Sequence, residues 1–269
     1  MGLLAVIGHT TRDLVDTRPP RAGGVPLYAA RALRALGEEA VLVTRCAEED
    51  RALLTRLRAY GLPVVWRPGP SAVFRLEYRD GRRFTTIEAL GDPWRLTDVH
   101  GWLRETLRRA DWVHAGALWR GEFPPETLAE LARGRTLSLD GQGLARPGHI
   151  GPVVRDADFD PAVLEQIDLL HLSEGELDAL GLSLDERSLR SLGVPEIVVT
   201  LGERGSVVFA DDIAELVQAA PLANVDPTGA GDSFTAAYIA ARRRGHGPVS
   251  AAASATALVH GLLSGRLVA

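Results

Sequence analysis

The sequence predicts an α/β fold with a mostly parallel central sheet. Short apolar runs alternate with longer amphipathic stretches, the first run begins at once with Leu3-Leu4-Ala5-Val6-Ile7, and glycines close the helical stretches. Leu3–Gly8 reads as a buried strand. Gly24–Leu36 reads as a helix, because Val25, Ala29, Ala32, Leu33 and Leu36 recur at helical spacing and Gly37 ends the pattern. Ala40–Arg45 is the next strand, followed by a helix through Glu48–Tyr60 that Gly61 closes. Further on, Trp112–Ala115, Thr136–Asp140, Asp168–Leu172 and Glu196–Leu201 read as strands, with helices over Asp98–Arg109, Pro125–Arg133 and Glu174–Leu180. Gly205–Ala210 and Ile213–Val217, separated by Asp211-Asp212, form a hairpin near the sheet edge. Two helices, Gly231–Arg244 and Val249–Leu263, finish the chain.

Residues 63–90 interrupt this rhythm. Ala72, Phe74, Leu76 and Tyr78 alternate with Val73, Arg75, Glu77 and Arg79, and Asp80-Gly81 turns the chain into Arg82-Arg83-Phe84-Thr85-Thr86-Ile87. An Asp-Gly pair between alternating runs signals a β-hairpin. Pattern alone leaves two readings, an edge hairpin of the main sheet or a flap over a site. The simplest organisation is one domain over residues 1–269, with a hairpin insertion at roughly 66–90.

Composition narrows the function. In 269 residues, 46% are hydrophobic and 24% charged, enough for a packed core and too ordered a mixture for wholesale disorder. The net charge of −5 argues against a protein dedicated to nucleic acid. Every basic side chain other than histidine is Arg; the absence of Lys excludes a Walker-type phosphate loop and Schiff-base chemistry. Cys46 is the only cysteine, so the chain builds no internal disulfide or cysteine-rich zinc site, and its apolar neighbours suggest a buried thiol. The start of the chain reads as a core strand rather than a leader, and no apolar run reaches the roughly 18 residues of a membrane span. Cytoplasm is the expected compartment.

The most informative stretch is Asn224-Val225-Asp226-Pro227-Thr228-Gly229-Ala230-Gly231-Asp232-Ser233-Phe234. Phe234, Ala237, Tyr238 and Ala241 share one helical face, so Gly229 and Gly231 stand at the helix start. Unpaired backbone N–H groups and the positive end of the helix dipole meet there, and small side chains let an anionic oxygen approach. Asp232 could cap the helix. Beside a phosphate cradle it could instead accept the proton of an attacking alcohol. A dinucleotide fingerprint is the wrong reading: it follows the first strand and needs a sixth-position glycine, where this chain has Phe234.

With these residues in place, the chain resembles the ribokinase-like (PfkB) carbohydrate and nucleoside kinases. Asp226-Pro227-Thr228-Gly229-Ala230-Gly231-Asp232 is similar to their C-terminal signature, which implies Asp232 as catalytic base and Gly229, Ala230 and Gly231 as the anion hole. Gly23-Gly24 resembles the N-terminal di-glycine where the acceptor settles, and Asp13 the acidic residue that holds its hydroxyls. Thr200-Leu201-Gly202-Glu203-Arg204-Gly205 resembles the T-L-G-x-x-G turn beside the nucleotide, so Thr200, Gly202, Gly205 and Thr228 are expected at the donor, and Val249–Leu263 beside the adenine. Glu174, in His171-Leu172-Ser173-Glu174, resembles an N-x-x-E element whose Glu helps place Mg²⁺; His171 stands where the family has Asn. Asp140-Gly141-Gln142-Gly143-Leu144-Ala145-Arg146 resembles D-x-N-x-R, with Gln142 replacing Asn and Arg146 displaced by two.

The resemblance implies a three-layer α/β/α fold with a small β lid. It also implies ATP and Mg²⁺ as cofactors, with room for a monovalent cation, and a sugar, polyol or nucleoside acceptor. Only 14 residues, His9 to Ala22, separate the first strand from Gly23-Gly24, where fuller members place lid strands. The hairpin at 72–87 is therefore expected to be most or all of the lid, which weakens the case for a lid-mediated dimer and leaves monomer or homodimer open. Two other readings are a kinase-fold protein that binds without catalysing and a vitamin-precursor kinase.

Overall fold

The computed structural model describes residues 2–79, 82–222 and 225–267; the Asp80-Gly81 turn and Asn224 lie outside the described residues. The strands and helices follow in chain order. β1 (Leu3–Ile7) is followed by β2 (Thr11–Val15), β3 (Arg21–Gly23), α1 (Val25–Ala35) and β4 (Ala40–Cys46). A 3₁₀ turn over Glu48–Leu53 leads into α2 (Leu54–Arg58), then β5 (Val64–Pro68), β6 (Val73–Arg79) and β7 (Arg82–Ala89). The middle comprises α3 (Leu96–His100), α4 (Arg104–Arg109), β8 (Ala110–Ala115), α5 (Pro125–Ala132), β9 (Thr136–Asp140), α6 (Gln142–Ala145) and β10 (Gly151–Pro152). The last third holds β11 (Leu169–Ser173), α7 (Glu174–Ala179), α8 (Glu186–Arg190), β12 (Glu196–Thr200), β13 (Ser206–Ala210), β14 (Ile213–Val217), α9 (Ala230–Arg243) and α10 (Pro248–Leu263).

Nine strands form the main sheet, in the order β14-β13-β12-β11-β9-β8-β1-β4-β5. Its pairings are parallel except for β12–β13 and β13–β14. Each interior strand is buried on both faces, and β1 shows why two helical layers are needed. Leu4 and Val6 pack with α1, α9 and α10, whereas Ala5 and Ile7 pack with Val99, Leu107, Leu128 and Leu177 on the opposite side. Strand side chains alternate between faces, so this sorting makes the three-layer α/β/α arrangement.

The remaining strands form a second sheet, in the order β10-β7-β6-β2-β3. The hairpin is thus a flap and not an edge of the main sheet. The hairpin supplies most of this second sheet but not all of it: β2 and β3 lie in the short interval up to Gly23-Gly24, and β2 pairs in parallel with β6. Five-residue β2 needs no more chain than 14 residues supply, at about 3.3 Å per residue. Two further readings change. The helix expected over Asp98–Arg109 breaks at Gly101, whose φ of −92° and ψ of −113° are not helical. β5 is an edge strand of the main sheet, a position that tolerates Pro68.

Candidate active site

A cavity of about 560 Å³ lies between the C-terminal ends of the parallel strands and the second sheet. This is where parallel sheets gather ligands, because loops diverge there and helices begin. Asp13, Gly24, Glu174, Thr200, Gly202, Gly205, Thr228, Gly229, Ala230, Gly231 and Asp232 all line it. Gly23 lies just behind the wall, pairing with Thr11 in the β2–β3 ladder.

The floor of the cavity is the start of α9. Gly229 adopts the left-handed conformation at φ 75°, and a β-carbon there would run into the ring of Tyr28. Glycine is therefore required both by backbone conformation and by space. The first-turn N–H groups of a helix have no carbonyl partner within it, and those of Gly231 and Asp232 are in that turn. Asp226 prepares the approach: its Oδ1 accepts from Thr228 N at 3.0 Å and from Thr228 Oγ1 at 2.6 Å. Ser233 Oγ donates to the Tyr28 carbonyl at 3.1 Å and ties α9 to α1.

The Asp232 carboxyl is pushed up to about 7, first by burial and then by the neighbouring Asp140 carboxylate. Asp140, at the end of β9, behaves oppositely. Burial alone would raise it, yet His114 and His171, each 3.1 Å from one of its oxygens, hold it well below the usual carboxylate range. A raised carboxyl and a lowered one within the same charged cluster have different work to do.

The other end of the cavity is covered by the second sheet. Asp13 on β2 is 6% exposed, and its Oδ1 accepts from Thr11 Oγ1 at 2.7 Å. Burial raises its carboxyl, against the hydrogen bond and the field of Arg21, Arg83 and Arg146. Gly24 has φ 93°, and a β-carbon there would strike the His9 carbonyl, so the turn from β3 into α1 admits only glycine. Phe74, Leu76, Arg83 and Thr85 reach down from β6 and β7.

Glu174 stands on the rim, its side chain 49% exposed and ion-paired with Arg204. No group of three metal-ligating side chains occurs among the described residues. Ala219, Ala220, Leu222 and Val225 line the same cavity with Thr256, Val259 and Leu263 of α10.

Three lining residues were weak or silent in the sequence. Tyr28 lies within an unremarkable helix, and Thr11 in a strand without a clear signal. Arg146 was visible only as a displaced motif match. Its side chain is almost wholly buried, its Nε has no partner among the described residues, and its guanidinium lies 5.5 Å from the Phe74 ring centroid.

Comparison with known proteins agrees with this fold. A structure of a pyrophosphate-dependent myo-inositol-1 kinase converted into a myo-inositol-3 kinase matches with a TM-score of 0.83 and 26% identity, over 97% of this chain and 93% of the other. A fructokinase of Rhizobium leguminosarum bv. trifolii is 26% identical over 235 residues, 82% of this chain and 71% of the relative. A nucleoside kinase of Methanothermobacter thermautotrophicus is 40% identical over 80 residues, a local match covering 29% of this chain and 26% of that protein. The model of the pfkB family of carbohydrate kinases matches residues 1–259, and with the ribokinase-like fold this establishes the chain as a member of that family.

Proposed function

We propose that this kinase transfers the terminal phosphoryl group of ATP to a hydroxyl of a small sugar, cyclic polyol or nucleoside, with Asp232 as general base. The observation that carries the reading is Asp232 in the first turn of α9, beside the Gly229–Gly231 backbone and in one cavity with Asp13. Asp13, Gly24 and Arg146 would orient the acceptor. As the acceptor oxygen bonds to the terminal phosphorus, its proton passes to Asp232, the bridging O–P bond breaks and ADP leaves. The N–H groups of Gly229 and Gly231 stabilise the charge on the transferred group, whereas the Ala230 N–H, expected in the same role, donates to the Pro227 carbonyl at 3.0 Å, and the second sheet excludes water that would compete as acceptor.

Glu174, the one carboxylate of the N-x-x-E resemblance, would help hold a divalent ion brought by the donor phosphates; it stands at the rim, paired with Arg204. Mg²⁺ there would neutralise charge on the phosphates. Its role is confined to Glu174 in this reading, and a monovalent cation has no assigned ligand.

A second reading replaces ATP with pyrophosphate, as in the structurally similar myo-inositol kinase. The apolar slot between Ala219, Ala220, Leu222 and Val225 on one side and α10 on the other favours a nucleotide, because a purine buries apolar wall that pyrophosphate leaves wet. Turnover with ATP and with pyrophosphate, across pentoses, hexoses, inositols, deoxy-keto sugar acids and nucleosides, separates the two. Asp232→Asn should lower kcat about a thousandfold or more with the fold intact. Near-normal turnover by that variant would sink the assignment of the base.

A further inference from the structure

His171 is buried in the middle of β11, behind the start of α9. Its Cε1 lies 3.4 Å from where a β-carbon on Gly231 would stand, and its ring centroid is 6.0 Å from that of Phe234 on α9. Both ring nitrogens are engaged. Nδ1 lies 3.1 Å from Asp140 Oδ1, and Nε2 lies 3.1 Å from Thr200 Oγ1.

The donors and acceptors of this chain of contacts can be counted. The Asp140 carboxylate has no proton to give, so His171 Nδ1 donates to it. The Thr200 hydroxyl has one proton, and the Leu172 carbonyl at 3.3 Å is an acceptor for it. With the proton directed there, the hydroxyl lone pairs are left for His171 and Nε2 donates as well, in keeping with the raised basicity of the ring. An imidazole that donates from both nitrogens is an imidazolium.

We propose that His171 is a positively charged positioning residue, an imidazolium fixed between Asp140 and Thr200 that keeps Asp232 ionised and adds positive field behind the Gly229–Gly231 backbone. This rests on the reading of Asp232 as base. It explains how a buried carboxylate at Asp140 is tolerated so near a second carboxylate: His114 on β8 and His171 on β11 bracket Asp140 on β9. The charged and titratable groups around His171 are Asp140, His114, Glu176 from α7 and Asp232 from α9, with Arg146 after α6 facing the same Asp232. Burial opposes the charged ring, but the Asp140 hydrogen bond and charge outweigh it and raise its basicity, with Glu176 and Asp232 adding to the effect. An asparagine at this position, the residue expected from the N-x-x-E resemblance, could keep the hydrogen bonds but not the charge. In this chain the difference is a full cation beside the reacting groups.

The first test does not need turnover. Nitrogen NMR of the imidazole rings of the full chain, with His171 assigned through its contacts to the Phe234 ring, should show both ring nitrogens protonated at pH 7.5. A bare ring nitrogen at that pH would overturn the proposal, whatever the kinase assay gives. The second test is the pH profile of kcat/KM. In His171→Asn the acidic limb, set by Asp232, should move up by about one pH unit, because loss of a nearby opposite charge typically raises a carboxyl by one to three. A merely structural histidine would lower activity at every pH and leave the limb in place, which would also overturn the proposal. Full activity in Asp232→Asn would instead remove the base and leave the NMR result standing on its own.

Discussion

The two ends of the cavity are built on different principles. The proposed donor end grows out of the main sheet: β9, β11, β12 and α9 bring the buried Asp140 and His171 together with the half-buried Thr200 and Asp232 at the cavity wall. The acceptor end grows out of the second sheet, where Asp13 sits on a five-residue strand and Arg83 and Thr85 come from a hairpin. At the donor end, backbone geometry and buried charge leave little tolerance for change. In the proposed function acceptor selection instead depends on side chains carried by a small sheet, so it could change without disturbing the residues beneath it.

The sharpest way to break that comparison is Gly229→Ala. A β-carbon would force a left-handed residue to carry a side chain and push into Tyr28, so kcat should fall at least about a hundredfold. Gly245→Ala is the control, since Gly245 has φ 86° but open space around it. That variant should lose only the strain energy of about 1–3 kcal/mol and keep its turnover. Equal kinetic damage in both would mean that backbone strain alone, not the anion hole, was being measured.

At the acceptor end, Asp13→Asn should act on binding. Loss of a charged hydrogen bond of about 1.5–3 kcal/mol predicts a rise in acceptor KM of roughly 10- to 100-fold, with donor KM unchanged. A fall in kcat as large as that of Gly229→Ala would erase the distinction between the two ends.

The smallest effect is on stability. The folded-state carboxyl of Asp232 lies near 7, above its ordinary 3.8, so its favourable contribution is complete below 3.8 and is lost as pH rises through 7. Asp232→Asn should therefore melt a few degrees higher than the parent at pH 8, a gain on the order of 1–3 kcal/mol, and show little difference near pH 4. A variant that melts lower at pH 8 would mean that the carboxylate is solvated.

The donor end was readable in sequence because its signals are local. Gly229, Ala230, Gly231 and Asp232 are contiguous, and Phe234, Ala237 and Tyr238 announce the helix that follows. β9 and β14 appear with their expected limits, and the other main-sheet strands read from sequence differ by only a residue or two at their ends. β2 was missed because Thr11-Arg12-Asp13-Leu14-Val15 gains its strand character from pairing with β6, some 60 residues later. Arg146 was obscured for a similar reason: only folding reveals that it reaches Phe74. The break at Gly101 shows a helical pattern overruled by one backbone conformation.

The far end of α9 has its own anchors. Arg242 grips the Glu196 carboxylate with Nε at 3.0 Å and Nη2 at 2.9 Å, while Arg243 reaches Glu38, Asp111 and the Gly2 carbonyl. These grips lie about 15 Å along the helix axis from Asp232. The helix is then a rod clamped at its tail, with its working tip in the cavity. Glu38 and Glu196 touch no part of that cavity, and a map drawn by distance to substrate would score them as inert. They help hold the helix that carries the tip, so exchanging either for a neutral residue should show itself as imprecision in the reaction rather than as weaker binding.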